Sequence, residues 1–245
     1  AATLVAAKSH IKVVHVEAGL RSGDRCMPEE INRLVTDQLS DRLYTHSRSA
    51  DANLRAEGVS EERIRFVGNV MIDALDAVRP RVERFKAAEA RGLAPGDYGL
   101  VTLHRPSNVD DPDQLAEIFS ALDEIACDLP LLLPAHPRTR QRVQEFGIEL
   151  KKVEVIEPVG YIEMQSLQST AALVLTDSGG IQEETTVLGV PCLTLRRNTE
   201  RPITVECGTN VLVPDRSRAA ILTAYHAARS RTYEPKRPEG WDGSA

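Results

Sequence analysis

The feature that most constrains this chain is an alternation kept from end to end: short, unbroken apolar runs separated by stretches of helical periodicity. The runs are Ile11–Val16 (IKVVHV), Ile64–Val67, Gly99–Leu103 (GLVTL), Leu129–Leu133, Val153–Ile156, Leu173–Leu175 and Cys192–Leu195. One helix begins near Pro28. Another carries Leu115, Ile118, Phe119, Leu122 and Ile125 on one face, and a polar one starts at about Thr139. Runs that are continuous rather than alternating predict strands buried on both faces, and helices between them predict a parallel, doubly wound α/β fold. Ligands bind such sheets just past the carboxyl ends of the strands. The residues that follow each run are therefore where chemistry is expected.

Composition narrows the partners. At 245 residues and 42% hydrophobic, the chain has material for one or two globular cores, which excludes a disordered tail, a collagen-like repeat and a disulfide miniprotein. A boundary between lobes is expected in Gly68–Pro95, where Gly68-Asn69, Pro80 and Gly92–Gly96 surround a charged helix. Thirty basic against 36 acidic residues gives a formal charge of −6, which argues against a nucleic-acid binder, and 4% aromatics make a poor base-stacking platform. An anionic substrate stays open if arginines and helix N-termini gather at one place. Cys26, Cys127, Cys192 and Cys207 form no CxxC pair and read as reduced, mostly buried thiols of a cytoplasmic protein. No apolar run approaches the ~18 residues of a membrane helix, and no signal peptide is read. The chain opens without Met inside what reads as an amphipathic helix, so a fragment or processed form is expected.

The first run leads into His15-Val16-Glu17, the tight turn Ala18-Gly19 and a polar loop of Arg21, Ser22, Gly23 and Asp24. A carboxylate ending a buried strand, as Glu17 does, needs a partner or a chemical role. Arg21 and Arg33 are the candidate partners. Glu29 and Glu30 follow Pro28 in a first helical turn, where they serve either the helix dipole or chemistry. GLVTL runs into His104-Arg105-Pro106-Ser107-Asn108, which offers an acid–base imidazole beside a guanidinium fork suited to phosphate. His136 sits with Arg138 and Arg140 in PAHPRTR, either as a second such site or in a loop shaped by two prolines.

The strongest local signal is Thr176-Asp177-Ser178-Gly179-Gly180-Ile181-Gln182-Glu183-Glu184. A strand ends, two glycines turn the chain and a helix begins at once, so exposed backbone N–H groups are suited to a diphosphate. Ser178 adds a hydroxyl, and Glu184, one turn in, is placed to accept from ribose. The segment is neither GxGxxG nor GxxxxGK[ST]. Arg197, Asn198, Thr199, Glu200, Arg201 and Pro202 follow the next run, facing the same pocket or forming a solvated loop.

Together HVEAGLRSGD, MPEEINR, GNVMIDAL, VTLHRPSN, TDSGGIQEE and RRNTERPITVECGTN resemble the non-hydrolysing UDP-N-acetylglucosamine 2-epimerases, in order and over nearly the whole chain. The resemblance implies an α/β fold of two Rossmann-like lobes of glycosyltransferase-B type with parallel sheets and the site in the cleft, the first lobe being incomplete here. On that reading residues 1–75 are the C-terminal part of the first lobe, 76–95 an inter-lobe helix and linker, and 96–245 the second, UDP-binding lobe. It implies interconversion of UDP-GlcNAc and UDP-ManNAc for cell-envelope polysaccharide, with no metal or redox cofactor, no nucleic acid, no membrane, and a homodimer at full length. By motif match Glu17, Glu30 and His104 are the catalytic residues. Arg21, Arg105, His136, Ser178, Gly179, Gly180, Glu184 and Arg201 bind the UDP-sugar.

Three departures stand out. The upstream part of the first lobe, with its Gly-rich turn and a Gly-Asp-Thr strand end, is not in this sequence, and members usually continue past GWDGSA into a final helix. Many members also carry His-Arg-Arg-Glu-Asn after the strand, tied to an allosteric UDP-GlcNAc, where this chain has Pro106 and Ser107. A glycosyltransferase or hydrolysing epimerase of the same fold, and an inactive UDP-sugar-binding fragment, are the competing readings.

Overall fold

The computed structural model describes residues 1–245. In chain order the elements are α1 (Ala2–Lys8), β1 (Val14–Ala18), α2 (Pro28–Leu39), β2 (Arg42–Thr45), α3 (Arg48–Ala56), β3 (Ile64–Phe66), α4 (Val70–Phe85), β4 (Gly99–Thr102), α5 (Pro106–Val109), α6 (Pro112–Ile125), β5 (Leu131–Pro134), α7 (Pro137–Glu145), β6 (Glu154–Ile156), α8 (Tyr161–Thr170), β7 (Leu173–Thr176), α9 (Gly179–Leu188), β8 (Cys192–Thr194), α10 (Ile203–Glu206), β9 (Asn210–Leu212) and α11 (Arg218–Arg229). Every strand pairing is parallel. The expected α/β class is the one observed.

The chain divides into two units. One comprises Ala1–Ala77, Thr199–Glu206 and Arg237–Ala245, the other Val78–Asn198 and Cys207–Lys236. In the first, three strands lie in the order β1-β2-β3. Its core is Ala18, Leu43, Leu54, Val59 and Ile64. Here the expectation of a strand buried on both faces needs correction: Val14 and Val16 of β1 are 51% and 45% exposed. In this three-stranded sheet only Ala18 of β1 is fully packed. The register slips between Val16 and Ala18. Glu17 takes up the slip with φ +69°, a left-handed conformation rare outside glycine.

The second unit holds a six-stranded sheet of order β6-β5-β4-β7-β8-β9. The chain winds outward from β4, returns to β7 on the other side of β4 and winds outward again. β4, β5 and β7 are buried at every position. Their residues alternate between two cores: Val101, Leu131, Leu133, Leu173 and Leu175 pack with α6 and α11, while Leu100, Leu132 and Val174 pack with Leu167 and Val190. Each buried aliphatic side chain contributes roughly 1.5–3 kcal/mol. The helix-face reading of Leu115, Ile118, Phe119, Leu122 and Ile125 matches, all being buried in α6. Of the cysteine expectation, the unpaired thiols match and the burial does not. Only Cys192, in a sheet strand, is buried; Cys26, Cys127 and Cys207 are exposed, and all four are free thiols. Burial pushes the Cys192 thiol up to about 11.

Candidate functional site

In a doubly wound sheet the binding crevice opens where the winding reverses, between β4 and β7. The residues that follow those two strands meet there. Thr102 and Thr176 join their hydroxyls at 2.6 Å across the strand ends, and Thr176 Oγ1 also accepts the Ser178 N–H at 3.0 Å. These bonds fix where each strand hands over to its loop. A cavity of about 220 Å³ opens beside them, lined by His104, His136, Ser178 and Met164 among others.

Asp177 organises this centre and is fully buried. It accepts the backbone N–H groups of His104 (3.0 Å) and Arg105 (2.9 Å), Nδ2 of Asn108 (3.1 Å) and Nδ1 of His104 (2.8 Å). Burial acts to raise its pKa, but the bonds from His104 and the two backbone amides outweigh it and hold the carboxyl below its ordinary range. An ionised carboxylate only accepts, so His104 presents its Nδ1 hydrogen to Asp177 and keeps Nε2 for other work. The His136 ring lies 6.0 Å from the His104 ring. Its Nδ1 accepts the Arg138 N–H at 3.2 Å, so the neutral ring carries its hydrogen on Nε2. Arg105 Nε donates to the Asp177 carbonyl at 3.0 Å.

Ser178 precedes α9 and makes no side-chain cap bond; Gly179 and Gly180 form the first turn. Main-chain donors at such a helix start suit an anion. Glu184 is buried in the same helix, where its carboxylate accepts from Tyr161 Oη (3.3 Å) and Gln168 Nε2 (3.2 Å). Burial raises its pKa against the lowering effect of these donors, and burial beside Glu184 pushes the Tyr161 hydroxyl up as well.

The remaining sequence-predicted residues lie in the first unit. Glu17 is paired by neither Arg21 nor Arg33. Its partner is Arg201, whose Nη2 lies 2.7 Å from Oε1, while Nη1 of the same guanidinium meets Glu200 at 2.7 Å. Arg21 is committed elsewhere, to Asp37 (2.7 Å) and Glu57 (2.6 Å). Glu30 is 2% exposed and accepts the N–H groups of Ser22 and Gly23 at 2.9 Å each. Burial acts to raise its pKa, yet these bonds, the Ser22 hydroxyl and Arg33 bring it below the ordinary carboxylate range. Asp37, also fully buried, takes His15 Nδ1 at 2.5 Å and the Gly19 N–H at 3.1 Å, pinning the turn after Glu17. A side chain at Gly19 is excluded, since its Cβ would lie 2.5 Å from the Ala50 carbonyl oxygen.

Sequence reasoning passed over Asp177, Asn108 and Asp37 as site-organising groups. A signal existed for Asp177, which ends a buried strand just as Glu17 does and so needs a partner for its charge. Nothing local marks Asn108 or Asp37. No group of three or more His, Cys, Asp or Glu side chains is placed to hold a metal ion, and no helix is long and apolar enough to cross a membrane.

Fold and site define a doubly wound α/β protein in which an anion-suited helix start and a histidine held by a buried carboxylate share the crevice at the sheet's switch point. Within that class the chain belongs to the UDP-N-acetylglucosamine 2-epimerase family, whose sequence profile matches residues 1–245. It is 46% identical to the UDP-N-acetylglucosamine 2-epimerase of Methanocaldococcus jannaschii, over 98% of this chain and 68% of that protein. It is also 46% identical to the UDP-2,3-diacetamido-2,3-dideoxy-D-glucuronate 2-epimerase of Pseudomonas aeruginosa, over 87% of this chain and 60% of the relative. The crystal structure of the M. jannaschii enzyme in complex with UDP-GlcNAc and UDP superposes with a TM-score of 0.90 at 42% identity, covering 98% of this chain and 69% of that one. The parallel α/β architecture is thus that of the glycosyltransferase-B-type epimerases. This chain spans about two thirds of the length of these relatives.

Proposed function

We propose that this chain is the greater part of an enzyme that inverts C2 of a UDP-linked N-acetylhexosamine, interconverting UDP-GlcNAc and UDP-ManNAc for cell-envelope polysaccharide. The observation that carries this reading is His104, held by ionised Asp177 beside the Gly-Gly start of α9. The hydrogen at C2 has no neighbouring carbonyl to acidify it, so direct deprotonation is slow. Elimination avoids the problem. The C1–O bond to UDP breaks as a base removes the C2 proton, giving 2-acetamidoglucal and UDP. UDP oxygen then adds back at C1 while a proton reaches C2 from the opposite face. Departure of UDP develops negative charge on the diphosphate and oxocarbenium character at C1, which fixed donors and a carboxylate respectively stabilise.

In this reading Ser178, Gly179 and Gly180 hold the diphosphate and Arg105 assists them. Glu184 receives the ribose, His136 lines the substrate cavity, and the second unit, Val78–Asn198 with Cys207–Lys236, is the UDP-binding lobe expected over 96–245 without the segments that fold with the first unit. His104 Nε2 exchanges the proton or faces the diphosphate. Glu17 is the sugar-pocket carboxylate and Arg201 positions it. Glu30 and Arg21 act at one remove from the sugar. Their polar atoms are taken up by Ser22, Gly23, Asp37 and Glu57, so they shape the loop after Glu17. The full-length enzyme is a cytoplasmic homodimer.

One observation favours a second substrate. The Pseudomonas relative, as similar as the Methanocaldococcus one, is named for a 2,3-diacetamido uronate. The deciding experiment is proton NMR of each UDP-sugar incubated with the protein in D₂O. Deuterium at C2 with UDP-ManNAc growing in supports the first substrate, and exchange only into the diacetamido uronate supports the second. Free ManNAc and UDP accumulating would identify a hydrolysing enzyme. Absence of exchange into either sugar, in a protein of the relatives' full length, would sink the epimerase reading.

A further inference from the structure

A buried arginine stands at the far end of the His104 network. Arg216 follows β9 and is only 7% exposed. Its Nη1 donates to two neutral oxygens, the Ser107 carbonyl at 2.9 Å and Asn108 Oδ1 at 2.8 Å. Burying a guanidinium against neutral acceptors is costly, and burial together with nearby Arg197 pushes its pKa down. Asp111 and Asp215 partly offset that cost by Coulombic attraction, and its hydrogen bonds go to those two oxygens.

Arginine has donors only, which settles the orientation of the Asn108 amide. The oxygen faces Arg216, so the nitrogen faces the other way. There it donates to Asp177 Oδ2 at 3.1 Å and to the Leu195 carbonyl at 2.9 Å. Asp177 in turn accepts from His104 Nδ1 at 2.8 Å. Four side chains from three separate segments thus form one directed chain: Arg216, Asn108, Asp177, His104.

We propose that Arg216 is a positioning residue for His104: by anchoring the oxygen of the Asn108 amide and lending positive charge to the network, it helps hold Asp177 as the acceptor that locks the imidazole with its hydrogen on Nδ1, leaving Nε2 to exchange the proton with substrate. The proton exchange with substrate rests on the epimerase reading; the positioning of the imidazole does not. Without Arg216 the Asn108 amide loses the donor on its oxygen and is held only by its bonds to Asp177 and Leu195, while a positive charge is lost from the network. Asp177 then becomes more basic and stabilises the His104 imidazolium, so the imidazole titrates at higher pH. The His136 ring, 6.0 Å from that of His104, and the neighbouring Arg105 are both retained in the variants below.

The test is two-bond ¹H–¹⁵N NMR of the histidine side chains against pH, with kcat and KM measured on the same samples. In the wild type the neutral His104 should carry its hydrogen on Nδ1. Arg216→Met should raise the His104 midpoint by about half a pH unit or more. It should lower kcat at neutral pH by on the order of ten-fold, with KM within about two-fold, as the loss of a charge-assisted supporting bond does. Arg216→Lys should restore part of both. Asn108→Asp, which keeps an acceptor for Arg216 and sets a carboxylate oxygen against Asp177, should raise the midpoint further and serves if Arg216→Met does not fold. A wild-type His104 with its hydrogen on Nε2 overturns the proposal without any variant. A folded Arg216→Met with wild-type tautomer, midpoint and kcat overturns it too. A wild type that is inactive in a protein of the relatives' full length but carries the Nδ1 hydrogen supports the positioning chain and counts against the epimerase reading instead.

Discussion

Arg201 Nη2 meets Glu17 Oε1 at 2.7 Å although 184 residues separate the two in the chain. Glu17 reaches this position from a left-handed backbone at a strand bulge, with φ +69°. Such a conformation costs about 1–2 kcal/mol for a residue with a Cβ and persists only where surrounding structure imposes it. Here Asp37 holds the following turn through the Gly19 N–H, and Asn53 Nδ2 holds the Gly19 carbonyl at 2.9 Å. The bulge takes Glu17 out of the ladder's alternation and turns it toward Arg201.

Strain at residue 17 fixes the ordering of two truncations. Glu17→Ala and Glu17→Gly both lose the ion pair, but glycine adopts positive φ without penalty. Glu17→Gly should therefore unfold at the higher denaturant concentration, by about 1 kcal/mol. Equal stability, or alanine ahead, contradicts a strained Glu17. Both variants, and Glu17→Gln, should lower epimerase turnover at least ~10²-fold, the scale of a lost acid–base group.

His104→Ala should reduce turnover by a similar ~10²-fold factor while leaving UDP binding largely intact. Isothermal titration with UDP beside the D₂O exchange assay separates the two. Near-normal exchange would remove His104 from the reaction.

Acid should expose the carboxylates that are held ionised. Asp177 and Glu30 both have folded pKa values below their ordinary ones. The unfolded chain therefore binds more protons between the two values, and stability falls as pH drops through that interval. Their contribution is complete above about pH 4.5 and is lost below it. Denaturant melts from pH 7 to pH 3 should show this slope, and Glu30→Gln should flatten it while costing about 1–2 kcal/mol at pH 7. An unchanged slope in Glu30→Gln would show that its bonds to Ser22 and Gly23 do not favour the ion.

Glu184 has the opposite sign. Burial raises its folded pKa, so its contribution is present below about pH 4.3 and is lost as pH rises through the folded value. Glu184→Gln should thus gain stability relative to wild type as pH increases. Glu184→Ala should weaken UDP affinity by on the order of ten-fold. A loss of rate with unchanged affinity would contradict contact with the ribose.

Much of this architecture is legible in the sequence because it is encoded locally. Unbroken apolar runs such as GLVTL and LLLP mark strands covered on both faces, and Asp177-Ser178-Gly179-Gly180 marks a strand-to-helix turn without knowledge of any neighbour. β2 and β9 escape such reading. Arg42-Leu43-Tyr44-Thr45 buries only alternate residues, and Asn210–Leu212 is three residues long.

The sequence by itself therefore determined the α/β class, the parallel strands and the post-strand positions of His104 and Ser178, because periodicity and turn chemistry act within a few residues. Tertiary structure alone decided which charge meets which: Arg201 rather than Arg21 for Glu17, Asp177 for His104, Arg216 for Asn108. The reason is strand order. Placing β7 beside β4 brings residues 73 positions apart within hydrogen-bond distance, and no local pattern records that adjacency.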